Sequence, residues 1–237
     1  MNIWKRFIPS FILLGIICII AAVCYIEDEI IQTSVPASIS TTIVLDAGHG
    51  GFDGGASAED GTVEKDINLH ITQKVSAMLR LNGYDVIMSR DSDTGTEDNE
   101  QETIAKRKKS DLSNRLQLMK ENRDAIFVSI HLNKFTTSAA NGSQVFYSAG
   151  CEDSKVLGDC IQKSIVQLLQ PENTRVNKQA TSSTYLLYNA TVPAVLVECG
   201  FLSNTAELKR LKDEEYQKKM AFSIFCGIVS FYSDNSI

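Results

Sequence analysis

The stretch IVLDAGHGGFDGG, residues 43–55, decides the fold. Its first five residues, 43–47, form an apolar run typical of a buried strand, and the glycine-rich segment 48–55 predicts a loop. Residues 64–81 then repeat apolar side chains at helical spacing, and residues 84–88 resemble a second strand. A strand, a helix and a further strand in this order are typical of an α/β fold.

The rest of the sequence continues this alternation. The polar stretch 91–110 predicts an exposed loop, and Pro193 introduces a strand at residues 194–197. Residues 204–207, Asn-Thr-Ala-Glu, resemble a capping box that opens the last helices. Between these features the pattern predicts a helix at 111–122, strands at 125–130 and 143–147, and a helix at 153–169. We therefore expect one α/β domain whose sheet is covered by helices on both faces.

The amino-terminal residues 1–27 predict a membrane anchor. Lys5 and Arg6 precede an uncharged apolar run, residues 7–26, which is long enough as a helix to cross a hydrocarbon core of about 30 Å. The acidic residues 27–29 follow, so we expect the amino terminus inside the cell and the rest outside. A cleaved signal peptide is the main alternative, with lipidation or a cytosolic protein less favoured. Residues 28–42 are expected to be a linker, and 43–237 the extracytoplasmic domain.

Composition excludes some functions and leaves others open. The formal net charge of −6 argues against a nucleic-acid partner, because neutralising phosphates requires clustered lysine and arginine. With 43% hydrophobic residues, the 237-residue chain is not wholly disordered. Two of the six cysteines, Cys18 and Cys24, lie in the apolar segment. The other four have no zinc-ribbon spacing; we expect them to be unpaired and buried, although a disulfide is permitted outside the cell: Cys151, Cys160, Cys199 and Cys226.

Three of the predicted strands end in residues with catalytic chemistry: His49, His131 and Glu198. Sites in open α/β sheets form at the carboxyl ends of the strands, so we expect these side chains to converge. The chain has three histidines in all, and any histidine-based metal site must use most of them. Taken singly, each histidine could also belong to a turn or to the core, and Glu198 could pair with a buried arginine such as Arg90.

Glu64 is a candidate third ligand because it lies on the apolar stripe of its own helix. At about 100° per residue, Ile71 and Val75 fall within roughly 20° of Glu64, whereas His70 lies about 120° away. An ionised carboxylate facing inward is costly unless a cation or metal compensates it; the alternative is a carboxylate favoured by the helix N-terminus. Two histidines and one glutamate with an open position form a zinc site of catalytic type, and Glu198 is left as the general base. We expect His70 to be structural or solvent-facing.

The motifs that carry these residues resemble one family. LDAGHGGFDGGA (45–56), EKDINL (64–69), SIHLN (129–133) and PAVLVECGFLSN (193–204) are similar to the zinc-dependent N-acetylmuramoyl-L-alanine amidases of the amidase 3 family. The likeness covers about residues 42–232, and the plan of one catalytic domain after a short hydrophobic segment resembles the spore-cortex amidases of the CwlD type. The resemblance implies a mixed, mostly parallel sheet and Zn²⁺ bound by His49, Glu64 and His131, with Glu198 catalytic.

The same resemblance implies a substrate and a setting. The substrate would be peptidoglycan, cut at the amide between N-acetylmuramic acid and L-alanine, here in the spore cortex as a step toward muramic δ-lactam. A vegetative autolysin is the alternative within enzymes, and a zinc-free peptidoglycan-binding or regulatory protein is the remote one. The enzyme would work outside the cytoplasm, anchored in the membrane or secreted, at the forespore envelope. Related amidases are often activated by protein partners, so an activator is expected without being identified.

Four further features of the sequence indicate less specific roles. Asn133 contacts substrate, orients a ligand, or simply ends a strand, and Arg90 is expected in a buried ion pair. Cys199 is expected to be a packing residue beside Glu198, because a reactive thiol requires a thiolate-favouring site. The basic run 106–109 predicts a solvated face more than a contact with wall polymer.

Overall fold

The helices and strands follow the predicted alternation. In the computed structural model, residues 41–98 and 103–234 are described. The strands are β1 (Thr42–Ala47), β2 (Asp85–Met88), β3 (Ile126–Asn133), β4 (Gln144–Tyr147), β5 (Lys178–Gln179) and β6 (Ala194–Phe201). The helices are α1 (Glu64–Leu81), α2 (Ile104–Glu121), α3 (Asp153–Leu168), α4 (Tyr185–Tyr188), α5 (Thr205–Leu211) and α6 (Glu214–Asp234).

The sheet has the strand order β2-β1-β3-β6-β4-β5. Strands β2, β1, β3 and β6 run parallel to one another. Strand β4 runs antiparallel to β6, and β5 runs parallel to β4. The expected mixed, mostly parallel sheet is therefore confirmed. Because β1, β3 and β6 are parallel neighbours, their carboxyl ends lie side by side at one edge, where the functional residues were expected.

Helices cover both faces of the sheet, as predicted. On one face α1 packs on β1 and β3, and α6 packs on both α1 and α3. On the other face α2 and α4 pack on the strands through one apolar cluster that includes Val44, Leu116, Phe127 and Leu187. These side chains are nearly inaccessible to solvent, and each large apolar residue removed from water contributes about 1.5–3 kcal/mol. The sheet is thus clamped from both sides.

Three predicted boundaries are wrong. Helix α2 begins at Ile104, inside the stretch expected to be an exposed loop, because the Thr103 hydroxyl accepts a hydrogen bond from the Lys106 N–H and caps the helix. Strands β3 and β6 continue beyond residues 130 and 197, because they pair with each other along their polar ends. His131 and Glu198 therefore lie within strands instead of just after them. The short elements β5 and α4 were not predicted.

Other local predictions are confirmed in whole or in part. Helix α1 spans the predicted residues 64–81. The Asn204 side chain caps α5 by accepting hydrogen bonds from the N–H groups of Ala206 and Glu207. The Glu207 carboxylate, however, accepts from the N–H groups of Gly142 and Phe201, so only half of the capping box forms.

The predictions for the cysteines and for the anchor have different outcomes. Cys199 is buried as expected, whereas Cys151, Cys160 and Cys226 are only partly buried. The predicted anchor, residues 1–27, and nearly all of the predicted linker lie outside the described residues. Within 41–98 and 103–234, no helix combines the length and the apolar character needed to cross a membrane.

Candidate metal centre

His49 lies in the loop that follows β1, held in an unusual backbone conformation. Its φ of 62° is in the left-handed region that non-glycine residues rarely occupy. The ring atom Nδ1 lies 3.0 Å from Oδ2 of Asp53, and Nε2 lies 3.3 Å from Oε2 of Glu64. The carboxylate of Asp53 keeps the proton on Nδ1, so Nε2 is free to bind a metal.

Glu64 is the first residue of α1, and its carboxylate is buried at the junction of three segments. Oε2 accepts a hydrogen bond of 2.8 Å from the Ala56 N–H, and Oε1 accepts one of 3.0 Å from the Leu132 N–H. The Asn68 amide donates to Oε1 from one turn further along the helix. With 3% of its surface exposed, Glu64 faces inward as the helical periodicity predicted.

His131 completes the cluster from strand β3. Its Nδ1 lies 3.1 Å from Oε1 of Glu64, and its ring is edge-on to that of His49 at 5.0 Å between centroids. His49, Glu64 and His131 each offer one ligand atom, and the three atoms lie within 4.8 Å of one another. Two imidazole nitrogens and one carboxylate oxygen at this separation fit a catalytic zinc ion, which takes three protein ligands and keeps a fourth position open. His70 is exposed on α1, as predicted.

Two glycines make room for these rings. A Cβ atom on Gly48 would lie 2.3 Å from the ring of His131, closer than atoms can approach. A Cβ on Gly55, whose φ is 69°, would lie 2.6 Å from both Oε2 of Glu64 and the ring of His49. The glycine-rich sequence of the loop is therefore required by the close approach of the ligands, in addition to the turn itself.

The electrostatics of the cluster favour ionised carboxylates beside imidazoles. Burial lowers the pKa of His49, but hydrogen bonds to Asp53 and Glu64 outweigh it and raise that pKa to about 9. Burial would raise the pKa of Glu64, yet the rings of His131 and His49 hold it well below its usual range. A metal ligand must be deprotonated, so a divalent cation would bind the anionic Glu64 carboxylate and displace a proton from the ring of His49.

Glu198 lies on β6 directly opposite His131 of β3. The residue as a whole is only partly buried, but its Oε2 atom is inaccessible to solvent and has no hydrogen-bond partner among the described residues. Burial raises the pKa of Glu198 to about 7, with His131 lowering it and Glu64 raising it to smaller extents. A carboxyl group whose pKa is about 7, beside three candidate metal ligands, is suited to accept and return a proton.

Arg90 does not form the predicted ion pair, nor does it neutralise Glu198. Its guanidinium group is buried and donates instead to the backbone carbonyl oxygens of Ala47, Gly48 and Lys65. These carbonyls lie at the end of β1, in the loop that follows it and at the start of α1. Arg90 therefore supports the loop that carries His49. The prediction of a packing role for Cys199 is supported, because burial raises the pKa of its thiol above its usual range.

Sequence reasoning missed a buried charge network below the cluster. The Arg115 guanidinium, from α2, pairs with Asp46 of β1 and with Asp111 one turn earlier. It also donates to the carbonyl oxygen of His49 at 2.7 Å. Burial would raise the pKa of Asp46, but Arg115 and the Ser129 hydroxyl hold it at about 2. The spacing of Asp111 and Arg115 by four residues was the available signal, and it fell where the sequence was interpreted as a loop boundary.

Asp53 was also missed, although it lies in the quoted glycine-rich stretch, four residues after His49. The structure leaves the role of Asn133 untested: it ends β3 after a register shift, and its backbone carbonyl accepts a hydrogen bond from the Leu202 N–H. A cavity of about 220 Å³ opens beside the cluster. Its lining includes His49, His131 and Leu186.

Three candidate metal ligands, an open cavity and a neighbouring carboxylate whose Oε2 has no partner in the described part of the chain are the groups typical of a metal-dependent hydrolase. The chain belongs to the amidase 3 family of N-acetylmuramoyl-L-alanine amidases, whose sequence pattern matches residues 43–230. The resemblance drawn from four motifs is thereby confirmed. The family shows that the chain is a peptidoglycan amidase.

Individual relatives agree with the family. The chain is 35% identical over 201 residues to the germination-specific N-acetylmuramoyl-L-alanine amidase of Bacillus subtilis, covering 85% of this chain and 83% of that relative. It is similar to the CwlD amidase of Clostridioides difficile, solved in complex with the GerS lipoprotein, at 42% identity, with a TM-score of 0.79 and coverage of 82% and 99%. The amidase AmiC2 of Nostoc punctiforme matches at 29% identity and a TM-score of 0.71, covering 83% and 99%.

The first prediction concerns the metal. His131→Ala is expected to abolish stoichiometric zinc binding by the full-length chain, a larger loss than the roughly 10–100-fold that follows removal of an outer partner of a ligand. His70→Ala, the matched control on the exposed face of α1, should retain full zinc. Elemental analysis after dialysis measures both. Full zinc in His131→Ala, or equal loss in the two variants, would contradict the cluster as the metal site.

Proposed function

We propose that this chain is a zinc-dependent amidase that hydrolyses the bond between N-acetylmuramic acid and L-alanine in peptidoglycan. Membership of the family shows the amidase activity. The zinc dependence and the roles of single residues are the proposal. The observation that supports them is the cluster of His49, Glu64 and His131 beside Glu198, whose Oε2 lacks a protein partner among the described residues. The remote alternative, a zinc-free binding protein, would not need these four residues together.

Each residue of the site has a distinct task in this proposal. Zinc, when bound by His49, Glu64 and His131, would polarise the lactyl carbonyl and lower the pKa of a water molecule. Glu198 accepts the proton of that water as it attacks the carbonyl carbon, and then delivers the proton to the departing nitrogen of L-alanine. Asp53 fixes the tautomer and the orientation of the His49 ring.

We place this activity in the spore cortex, where removal of the stem peptide prepares muramic acid for closure of the δ-lactam ring by a second enzyme. The similarity to a germination-specific amidase of Bacillus subtilis supports this setting. A vegetative autolysin would use the same bond cleavage, so the alternative differs in place and time instead of chemistry.

We further propose that the catalytic domain, residues 43–237, works outside the cytoplasm, tethered by an uncleaved anchor in residues 1–27 and the linker 28–42. The basic, apolar and acidic order of the first 29 residues supports this orientation. The similar CwlD amidase was solved with a lipoprotein, which supports a membrane-associated activator for this chain as well.

Glu198→Gln separates catalysis from metal binding. The amide is nearly isosteric and leaves the three ligands untouched, so zinc content and melting temperature should be unchanged. Activity should fall by roughly 10²–10⁴, the usual contribution of a positioned acid–base group. Turnover is measured by mass spectrometry of stem peptides beginning with L-alanine, released from purified peptidoglycan by the zinc-loaded chain. Glu172→Gln, on an exposed loop, is the matched control.

Three results of that experiment would contradict the assigned role of Glu198. Near-normal turnover would remove the general-base mechanism. Loss of zinc would make Glu198 a fourth ligand. A fall in melting temperature that accounts for the lost activity would make it a structural carboxylate.

The cortex setting predicts a muropeptide phenotype. Spores of a strain that lacks this gene should contain little muramic δ-lactam, because the stem peptide still blocks the lactyl carboxyl group. Chromatography and mass spectrometry of digested cortex measure the lactam, with the wild-type gene and the Glu198→Gln allele reintroduced as controls. Normal lactam together with chained vegetative cells would instead establish the autolysin alternative.

The anchor predicts a membrane-bound mature protein. Fractionation of the producing cells should recover the chain with membranes, with its amino terminus intact and its catalytic domain accessible to protease from outside. Amino-terminal sequencing distinguishes the alternatives, because a soluble form beginning near residues 23–28 would show a cleaved signal peptide.

A further inference from the structure

The basic run 106–109 is divided by the structure into side chains with different surroundings. The guanidinium of Arg107 packs over the ring of Phe52 at 3.9 Å and pairs with Glu97. Lys108 instead extends toward the loop that carries His49, whereas Lys109 is exposed beside Ser110 and lines a separate shallow cavity. The prediction of a solvated face is therefore incomplete, because Arg107 and Lys108 both depart from it, and Lys108 does so toward the candidate metal centre.

Lys108 lies at the entrance to the candidate metal centre. Its Nζ atom is 3.0 Å from Oδ1 of Asp53, whose other oxygen contacts His49. Its side chain is 52% exposed and lines the cavity of about 220 Å³ that also contains His49 and His131. A ligand that reaches the metal centre through this cavity therefore passes an accessible positive charge.

The other charges that line this cavity are compensated inside the protein. Arg115 is 2% exposed and satisfied by Asp46, Asp111 and backbone carbonyl oxygens. Among the described lining residues, Lys108 is thus the most exposed cation, with 52% of its side chain accessible against 24% for His49 and 2% for Arg115. An ammonium group has three N–H donors, and the pair with Asp53 leaves about half of the Lys108 side chain exposed. Lys108 can therefore accept an additional anionic partner at little cost.

We propose that Lys108 binds a free carboxylate of the stem peptide and thereby makes this amidase selective for stems that carry one near the cleavage site. The proposal rests on the proposed function, since it needs the peptide on the leaving-group side. Consecutive Cα atoms are about 3.8 Å apart, so a carboxylate on the second residue lies roughly 6–8 Å from the scissile carbonyl carbon. Lys108 is separated from the ring of His49 by one carboxylate, that of Asp53, through two contacts of 3.0 Å each, and lines the same cavity.

The test uses two synthetic muramoyl peptides that differ by one charge. Their second residue is either D-glutamate, with a free α-carboxylate, or D-isoglutamine, in which that group is an amide. With the zinc-loaded full-length chain, kcat/KM should be higher for the acid. Lys108→Gln should lower kcat/KM for the acid about tenfold or more, as expected for a lost hydrogen bond to a charged group, and should leave the amide nearly unchanged. Lys108→Arg should restore much of the preference.

Lys109→Gln is the matched control, because it makes the same charge change on the same helix away from the cavity and should alter neither substrate. Zinc content is measured in every variant. An equal fall on both substrates, with or without loss of zinc, would overturn the proposal and make Lys108 a residue that positions His49 through Asp53. Unchanged kinetics with both substrates would overturn it as well. Failure of the wild-type chain to cleave either peptide would overturn the proposed function, and this inference with it.

Discussion

The site depends on one interaction, the burial of the Glu64 carboxylate at the carboxyl edge of the sheet. A buried anion is tolerated only when hydrogen bonds and positive charge compensate it. Glu64 obtains these from the N–H groups of Ala56 and Leu132 and from the two imidazole rings. Because those partners belong to the loop after β1 and to strand β3, satisfying one carboxylate fixes the relative positions of three segments. The metal-type cluster is a consequence of that requirement.

The Arg115 network supports this arrangement from the opposite face of the sheet. Its guanidinium joins α2 to Asp46 of β1 and to the carbonyl oxygen of His49, so the helix and the ligand loop cannot move independently. Removing one member of such a buried group leaves an uncompensated charge, which typically costs about 3–5 kcal/mol. The cost of a broken network is what makes the position of His49 definite, although the loop is rich in glycine. The glycine-rich loop has one conformation because contacts with side chains, and not its backbone preferences, determine it.

The parts that the sequence could predict are those with a local cause. Helical periodicity placed the 64–81 helix and turned Glu64 inward, and the apolar runs located β1, β3 and β6. What escaped prediction has a cause outside the segment concerned. The first turn of α2 is polar and became helical through its cap at Thr103 and its contacts with Phe52 and Asp53. Strands β3 and β6 extended because each supplies the other's hydrogen bonds, and Arg90 found carbonyl groups that only the folded loop brings together.

Glu198 differs from its neighbours in that folding leaves it unsatisfied. Asp46 and Glu64 are buried and surrounded by donors, whereas Glu198 is partly exposed and its buried oxygen, Oε2, lacks a partner among the described residues. An unpaired buried polar group costs about 1–3 kcal/mol, and a hydrophobic residue in a parallel strand would avoid the cost. Stability therefore does not explain a glutamate opposite His131. A group that accepts and returns a proton, by contrast, needs an oxygen that is free of protein hydrogen bonds when substrate and water arrive. Hydrogen bonds thus position the candidate ligands, whereas Oε2 of Glu198, the carboxylate proposed to accept and return a proton, receives none from the described residues.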